Sequence, residues 1–254
     1  MAFLTDGILA IHAAAKSAPP IIGDANDNRL TGTLKDEVIL GGGGNDTING
    51  RGGDDLIDGQ DGVDVVSYRG AHIGLDGVGV RVDLSNFSAT GIGVGTDQLF
   101  HIENIVGSAF NDVIRGDAGK NGFQGGAGRD TIDGGGGHDR LSGGADADSF
   151  LFDTGTAARL QANLDHITDF TSGEDHILLG RSAGGPFAAI GFGIMNANAF
   201  HLGTEATTAQ QRILYDGTTG RLYYDSDGTG IDLPVSFAVL DTAPVISALD
   251  FQVF

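Results

Sequence analysis

The chain has 254 residues, of which 44 are Gly, and it carries a formal net charge of −20. A chain this acidic is repelled by nucleic acid and by anionic membrane surfaces, which argues against binding to either. It has no Cys, which excludes disulfides, thiolate zinc sites and iron–sulfur clusters. No stretch approaches the ~18–20 apolar residues of a membrane-spanning helix.

Residues 1–22 are predicted to form an N-terminal cap on the fold that follows. Residues 3–15 are partly apolar and end in a run of Ala, which is similar to the end of a secretory signal peptide. No basic segment precedes them, however, and Asp6 lies among them. We therefore expect a short helix or strand here instead of a signal peptide.

A nine-residue repeat dominates residues 23–67 and 107–153. Its copies begin with Gly, at Gly23, Gly32, Gly41, Gly50, Gly59, Gly107, Gly116, Gly125, Gly134 and Gly143. Position six is Asp in most copies, namely Asp46, Asp55, Asp64, Asp112, Asp130, Asp139 and Asp148, and it is Asn28, Glu37 or Asn121 in the others. Position eight is apolar in every copy: Leu30, Ile39, Ile48, Ile57, Val66, Ile114, Phe123, Ile132, Leu141 and Phe150. The apolar residue at every ninth position argues against a flexible Gly- and Asp-rich linker.

The composition of the repeat predicts a turn followed by a very short strand. Six Gly-rich residues favour a turn whose backbone visits positive φ, and the apolar centre of the next three residues points inwards. Two repeats complete one coil, so position six stacks on position six two repeats later, about 4.8 Å away. Stacked carboxylates repel each other unless a cation lies between them, and Ca²⁺ takes six to eight oxygen ligands.

These stacks predict three to six Ca²⁺ ions, with one ion for each stacked pair. The candidate pairs are Asn28/Asp46, Glu37/Asp55, Asp46/Asp64, Asp112/Asp130, Asn121/Asp139 and Asp130/Asp148. The all-Asp pairs are expected to be the strongest sites. Backbone carbonyl ligands are predicted at Gly41, Gly43, Asn45, Gly125, Ala127 and Arg129.

The consensus GGxGxDxUx, in which U is apolar, resembles the repeat of RTX proteins over residues 23–67 and 107–153. The resemblance implies an all-β fold with a calcium-filled parallel β-roll or β-helix in two blocks. It also implies an extracellular, secreted protein.

Residues 68–106 interrupt the repeat. Alternation of Val78, Val80, Val82 and Leu84 with small or polar residues predicts a half-buried strand. We expect this insert to form extra β coils without metal. Its His72 and His101 are interpreted as polar surface, because no second His or carboxylate has zinc-like spacing.

Residues 154–254 have lost the repeat and predict short strands, with a hairpin that turns at Gly217–Gly220. This stretch resembles the C-terminal target domain of RTX proteins exported by type I secretion, including serralysin-type metalloproteases. The matching residues are Asp165, Ile167, Asp169, Phe170, Gly173, Asp175, Ile177 and Leu222–Gly230. The last residues, Asp250–Phe254, resemble the uncleaved secretion signal, although Gln252 interrupts the apolar run. A strand that ends the fold is the alternative interpretation.

Two further motifs are similar to known calcium-binding and catalytic motifs. Residues 225–228 read DSDG, which is compatible with an accessory calcium site at Asp225 and Asp227 or with a plain turn, and lacks the Glu of an EF-hand. Residues 180–184 read GRSAG around Ser182, but Gly-Pro follows where a nucleophile elbow needs a helix. With no HExxH motif either, we expect no catalytic site.

The sequence thus favours a calcium-binding protein that folds outside the cell after type I secretion. The alternative is a non-catalytic carrier or a module that binds an anionic polysaccharide, within a secreted protease, lyase or epimerase. Such a module needs an exposed basic or aromatic stripe. The repeat faces offer a few basic residues mixed with Asp: Arg29, Arg51, Arg115, Arg129 and Arg140.

Overall fold

The computed structural model describes residues 18–70, 77–153, 163–181 and 185–254. Most of the predicted cap, together with His72 and Ser182, lies outside these residues. The described chain is all-β apart from four short 3₁₀ helices, at Leu84–Asn86, Pro186–Ala189, Ala197–Ala199 and Ala248–Asp250. None of its helices is long and apolar enough to cross a membrane. Two compact units divide the chain, residues 1–114 and 115–254.

The first unit is built from two sheets of short strands. In chain order the strands are β1 (Ile21–Ile22), β2 (Arg29–Thr31), β3 (Val38–Gly43), β4 (Thr47–Asn49), β5 (Leu56–Asp61), β6 (Val65–Ser67), β7 (Val78–Asp83), β8 (Ser88–Gly91), β9 (Gly95–Phe100), β10 (Asn104–Val106) and β11 (Asn111–Arg115). One sheet has the order β1-β3-β5-β9-β8-β7-β11 and the other β2-β4-β6-β10. Consecutive repeats therefore alternate between the sheets, as expected when two repeats make one coil.

The second unit has the same two-sheet construction. Its strands are β12 (Gly122–Ala127), β13 (Thr131–Asp133), β14 (Arg140–Ala145), β15 (Ser149–Phe152), β16 (Asp165–Ile167), β17 (His176–Leu179), β18 (Gly193–Ile194), β19 (Phe200–Leu202), β20 (Ile213–Asp216), β21 (Arg221–Tyr224), β22 (Val235–Leu240) and β23 (Phe251–Val253). The sheet orders are β13-β15-β17-β23-β18 and β12-β14-β16-β22-β21-β20-β19.

Strand register confirms the predicted spacing of 18 residues between stacked positions. Ile39 pairs with Ile57 in a parallel ladder, and Phe123 pairs with Leu141 in the other unit. The position-eight side chains form the core: all are buried except Leu30, on edge strand β2, which is half-buried. Burial of one apolar side chain per repeat is therefore what fixes the register of the coils.

The insert differs from the predicted extra coils. Strands β7, β8 and β9 pair antiparallel as a meander, and β9 then joins the parallel stack beside β5 with Leu99 opposite Ile57. In the other sheet, β10 continues the coil in parallel register with β6.

Coil stacking continues beyond residue 153, where the sequence repeat ends. Leu141 pairs with Ile167, and Phe150 pairs with Ile177, both in parallel ladders. The predicted hairpin is confirmed, because β20 and β21 pair antiparallel around residues 217–220. The chain end is also ordered in the sheet: β23 lies between β17 and β18, with Phe251 and Val253 buried.

Candidate metal centre

The position-six side chains form ladders inside the coils. In each ladder the backbone N–H of one position-six residue donates to Oδ1 of the position-six Asp two repeats later. These bonds are Asn28 to Asp46 (2.7 Å), Glu37 to Asp55 (2.8 Å), Asp46 to Asp64 (2.7 Å), Asn121 to Asp139 (2.8 Å) and Asp130 to Asp148 (2.9 Å). Five of the six predicted pairs are therefore neighbours in the structure. The sixth, Asp112/Asp130, takes one residue from each unit and stays a prediction.

The turns fall into two classes that the consensus does not separate. In the first class, which we call open turns, positions two and four both have positive φ. The position-two residues are Gly42, Arg51, Gln60, Gly126, Gly135 and Gly144, and the position-four residues are Gly44, Gly53, Gly62, Gly128, Gly137 and Asp146. These turns end at Asp46, Asp55, Asp64, Asp130, Asp139 and Asp148.

The open turns leave carboxylate oxygens facing inwards without a donor. Oδ2 of Asp46, of Asp64 and of Asp139 is buried and accepts no hydrogen bond, although each side chain is about 99% buried or more. Leaving a buried acceptor unsatisfied costs about 1–3 kcal/mol, and more when it is charged. Such oxygens are expected where a bound cation completes the site.

The Gly at position one of an open turn shapes a cradle around these oxygens. A Cβ built on Gly41 would lie 2.3 Å from Asp46 Oδ2 and 2.4 Å from the Gly59 carbonyl oxygen. A Cβ built on Gly125 would lie 2.1 Å from Asp130 Oδ2 and 2.6 Å from the Gly143 carbonyl oxygen. The carboxylate of the turn itself and a backbone carbonyl of the next layer thus converge at a position where only Gly fits. Hard oxygen donors of this kind suit Ca²⁺.

The second class, which we call closed turns, holds its position-six side chain with its own backbone. The position-two N–H donates to it from Asp24 to Asn28 (2.7 Å), Thr33 to Glu37 (2.9 Å), Ser108 to Asp112 (2.6 Å) and Asp117 to Asn121 (3.2 Å). The position-two side chain in turn accepts from the N–H two residues later. The side chains of Asn28, Glu37, Asp112 and Asn121 thus already accept a hydrogen bond from their own turn, and their ligand roles stay predictions.

Sequence distinguishes the two classes at position two, which the prediction did not use. Closed turns have Asp, Thr or Ser there, and these side chains form Asx or ST turns. Open turns have Gly, Arg or Gln, which form no such bond.

The layer that follows an open turn is in several cases not a repeat. Asp97 accepts from the N–H of Asp55 (3.0 Å), and Glu103 accepts from that of Asp64 (2.8 Å). In the second unit Asp165 accepts from the N–H of Asp139 (3.0 Å), and Asp175 accepts from that of Asp148 (2.9 Å). The prediction missed these four as members of the ladders, because they lie outside the nine-residue period.

Backbone carbonyl oxygens of the next layer lie beside turns of both classes. The Gly41 carbonyl oxygen lies beside Asn28 Oδ1 at a closed turn, since a Cβ on Gly23 would be 1.9 Å and 2.1 Å from the two atoms. At open turns, the neighbouring carbonyls include those of Gly59 beside Asp46, His101 beside Asp64 and Gly143 beside Asp130. Ligand roles for Gly41, Gly43, Asn45, Gly125, Ala127 and Arg129 stay predictions.

Burial makes several ladder carboxyl groups hard to ionise in the absence of a cation. It raises the pKa of Asp148 to about 7, with the charge of Asp175 adding to the effect. It raises the pKa of Asp97 to about 7 and that of Asp165 to about 8, helped by Asp55 and Asp139 respectively. A divalent cation between the layers would favour the charged form instead.

His101 and the DSDG loop are the other candidate sites within the described residues. His101 is exposed, as predicted, and its Nδ1 lies 2.7 Å from Asp58 Oδ1. In the DSDG loop, Asp225 Oδ1 accepts from Gly228 N–H (2.7 Å) and Asp227 Oδ2 accepts from Ile231 N–H (2.8 Å). Backbone donors therefore hold this loop as a turn, Asp227 Oδ1 is buried without a donor, and calcium there stays a prediction. No group of three His, Cys, Asp or Glu side chains converges as a metal site in the described parts of the chain.

Comparison with known families identifies the repeat. The family model for the RTX calcium-binding nonapeptide repeat (4 copies) matches residues 31–66, 101–123 and 123–150. The chain carries RTX repeats. The RTX repeats imply that the protein binds calcium, and the matched residues include the six open-turn residues Asp46, Asp55, Asp64, Asp130, Asp139 and Asp148.

Two other comparisons add no argument on function. No curated protein is significantly similar to the sequence. A solved structure, the solution structure of the AlgE6R3 subunit from the Azotobacter vinelandii mannuronan C5-epimerase, is 21% identical, with coverage of 93% of this chain and 83% of that chain. Its TM-score of 0.29 is too low to support an inference about this RTX protein.

Proposed function

We propose that this RTX protein is secreted through a type I system and folds into its β-roll when it meets calcium outside the cell. The observation that carries the proposal is the set of buried, donor-free Oδ2 atoms of Asp46, Asp64 and Asp139, each at an open turn. A cation is the partner that these atoms lack. We assign one ion to each open turn, which gives three sites with donor-free oxygens and six in all.

Electrostatics explains why folding would wait for calcium. The formal net charge of −20 opposes a compact state, and the ladders bring carboxylates together inside it. The Gly-rich turns add a large loss of backbone entropy on folding. Six divalent ions would remove more than half of the net charge, so binding and folding are coupled.

The calcium affinity expected of such sites indicates that the protein folds outside the cell. Extracellular calcium modules bind with dissociation constants of roughly 10⁻⁴–10⁻³ M, which matches calcium outside the cell and not in the cytosol. The chain would then stay unfolded during export and fold afterwards. The resemblance of residues 154–254 to a type I target domain supports this order of events.

We further propose that the protein is not an enzyme. The carboxylates that could serve as acid and base are used in the calcium ladders, and Gly-Pro follows the GRSAG segment where a nucleophile elbow needs a helix. The alternative of an anionic polysaccharide module has weak support, because Arg115 and Arg140 already pair with Asp133 (3.2 Å) and Asp241 (3.3 Å).

A calcium titration followed by circular dichroism tests the proposal. We expect little strand signal in chelator at neutral pH and a cooperative gain over the range of about 0.1–10 mM calcium. Magnesium serves as the control, because it demands tighter octahedral geometry. A full strand signal in chelator, unchanged by calcium, contradicts the proposal.

A further inference from the structure

The segment 163–165 lies directly on the open turn 134–139 of the second unit. Asn163 Oδ1 accepts from the N–H of Gly137 (3.0 Å), and Asn163 Nδ2 donates to the Gly135 carbonyl (2.6 Å). Asp165 Oδ1 accepts from the N–H of Asp139 (3.0 Å). These residues therefore form the next layer of the ladder, although the spacing from Asp139 to Asp165 is 26 residues instead of 18.

The two carboxyl groups of this layer pair are buried against each other. Asp139 is 1% exposed and Asp165 is 3% exposed. The Asp139 N–H donates to Asp165 Oδ1, so the two carboxyl groups lie in adjacent layers of one ladder. Oδ2 of Asp139 meanwhile accepts from no donor. Buried carboxylates in adjacent layers repel each other unless a cation lies between them.

The position-one Gly of this turn leaves room on the same side. A Cβ built on Gly134 would lie 2.4 Å from Asp139 Oδ2, the same close approach that Gly41 makes to Asp46. The turn also has the positive φ values of an open turn, 84° at Gly135 and 121° at Gly137. The geometry is thus that of a repeat site whose second layer comes from outside the repeats.

We propose that Asp165 is a calcium ligand that completes a site with Asp139. This inference rests on the proposed function. The inference goes beyond that function because it gives a metal-binding role to residues 154–254, for which the sequence predicted only a role in secretion. The second repeat block then cannot fill its site at Gly134–Asp139 until β16 has packed on β14.

Ion counting by native mass spectrometry tests this role in the full chain. Asp165→Asn keeps the oxygen that accepts from Asp139 N–H but removes the charge, and it should bind one calcium fewer than the parent. Asp241→Asn makes the same charge change at a partly exposed carboxylate and should bind the parent number. An unchanged count in Asp165→Asn overturns the proposal.

A double variant distinguishes one calcium ion shared by Asp139 and Asp165 from two ions bound independently. Asp139→Asn should lose one calcium, and Asp139→Asn/Asp165→Asn should lose no more than that one. Loss of a second ion in the double variant contradicts a shared site. If the parent chain binds no calcium at all, the proposed function has failed as well, which differs from failure of this site alone.

A crystal structure of the unmodified chain with calcium tests the site without substitution. An anomalous peak about 2.3–2.6 Å from Asp139 Oδ2 and from a carboxylate oxygen of Asp165 is expected. Peaks at the other open turns with none at this one overturn the inference.

Discussion

Replacement of Asp46 by Asn should stabilise the metal-free fold and reduce the stabilisation that calcium gives. Asp46 Oδ1 accepts from Asn28 N–H, and Asn retains an oxygen for that bond. The substitution replaces Oδ2, which is buried and has no donor, with an uncharged amide nitrogen. Without calcium this removes a cost of about 1–3 kcal/mol, so the metal-free fold is stabilised. With calcium it removes a site.

The loss with calcium follows from mass action. A site at ten times its dissociation constant contributes about 1.4 kcal/mol to folding, so the stabilisation gained between chelator and calcium should be about 1.4 kcal/mol smaller for Asp46→Asn than for the parent. Urea unfolding of both proteins in chelator and in 10 mM calcium measures this difference. The strand signal in chelator alone should equal or exceed that of the parent.

The matched control is Asp112→Asn at a closed turn. Asp112 is as buried as Asp46, but its Oδ2 accepts from Ser108 N–H (2.6 Å) and its Oδ1 from Ser108 Oγ (2.7 Å). This variant should be destabilised whether or not calcium is present. If Asp46→Asn instead behaves like Asp112→Asn under both conditions, the distinction between open and closed turns is refuted.

Three further predictions concern pH, a cradle and the core. In chelator, strand content should rise as pH falls from 8 to 5, because the pKa values of Asp97 and Asp148, about 7 in the fold, exceed the ordinary value of 3.8. The stability gained by protonating these two carboxyl groups is complete below pH 3.8 and is lost as the pH rises through about 7. Loss of strand signal on acidification would contradict this prediction. Gly125→Ala should lose one calcium by mass spectrometry, since its Cβ would lie 2.1 Å from a carboxylate oxygen, whereas Gly191→Ala, with nothing within 4 Å, should lose none. Phe150→Ala should cost about 3–5 kcal/mol in urea unfolding with calcium, because Phe150 is fully buried; a cost below about 1 kcal/mol would contradict its place in the core.

The sequence predicted the repeat core well for a physical reason. A coil that buries one side chain per nine residues has a single favourable register, so Ile39 opposite Ile57 follows from the period alone. The same period identified the position-six Asp residues. It could not place the insert, because β7, β8 and β9 follow no nine-residue spacing and pair by meander instead.

The nine-residue period alone could not predict the closed turns or the ladder residues that lie outside the repeats. Thr33 and Ser108 mark closed turns at position two, yet their effect is a local hydrogen bond that the consensus ignores. Asp97 and Asp165 stack on repeat carboxylates across 42 and 26 residues. Such spacings depend on how the intervening chain folds, so no fixed offset in the sequence reveals them.

The number of calcium ions bound per chain decides whether the open turns are metal sites. Native mass spectrometry of the unmodified protein, buffer-exchanged from millimolar calcium, counts them without any assumption about position. We expect three to six ions, with at least one at each of the donor-free Oδ2 atoms of Asp46, Asp64 and Asp139. A chain that is fully folded with fewer than three ions would contradict it.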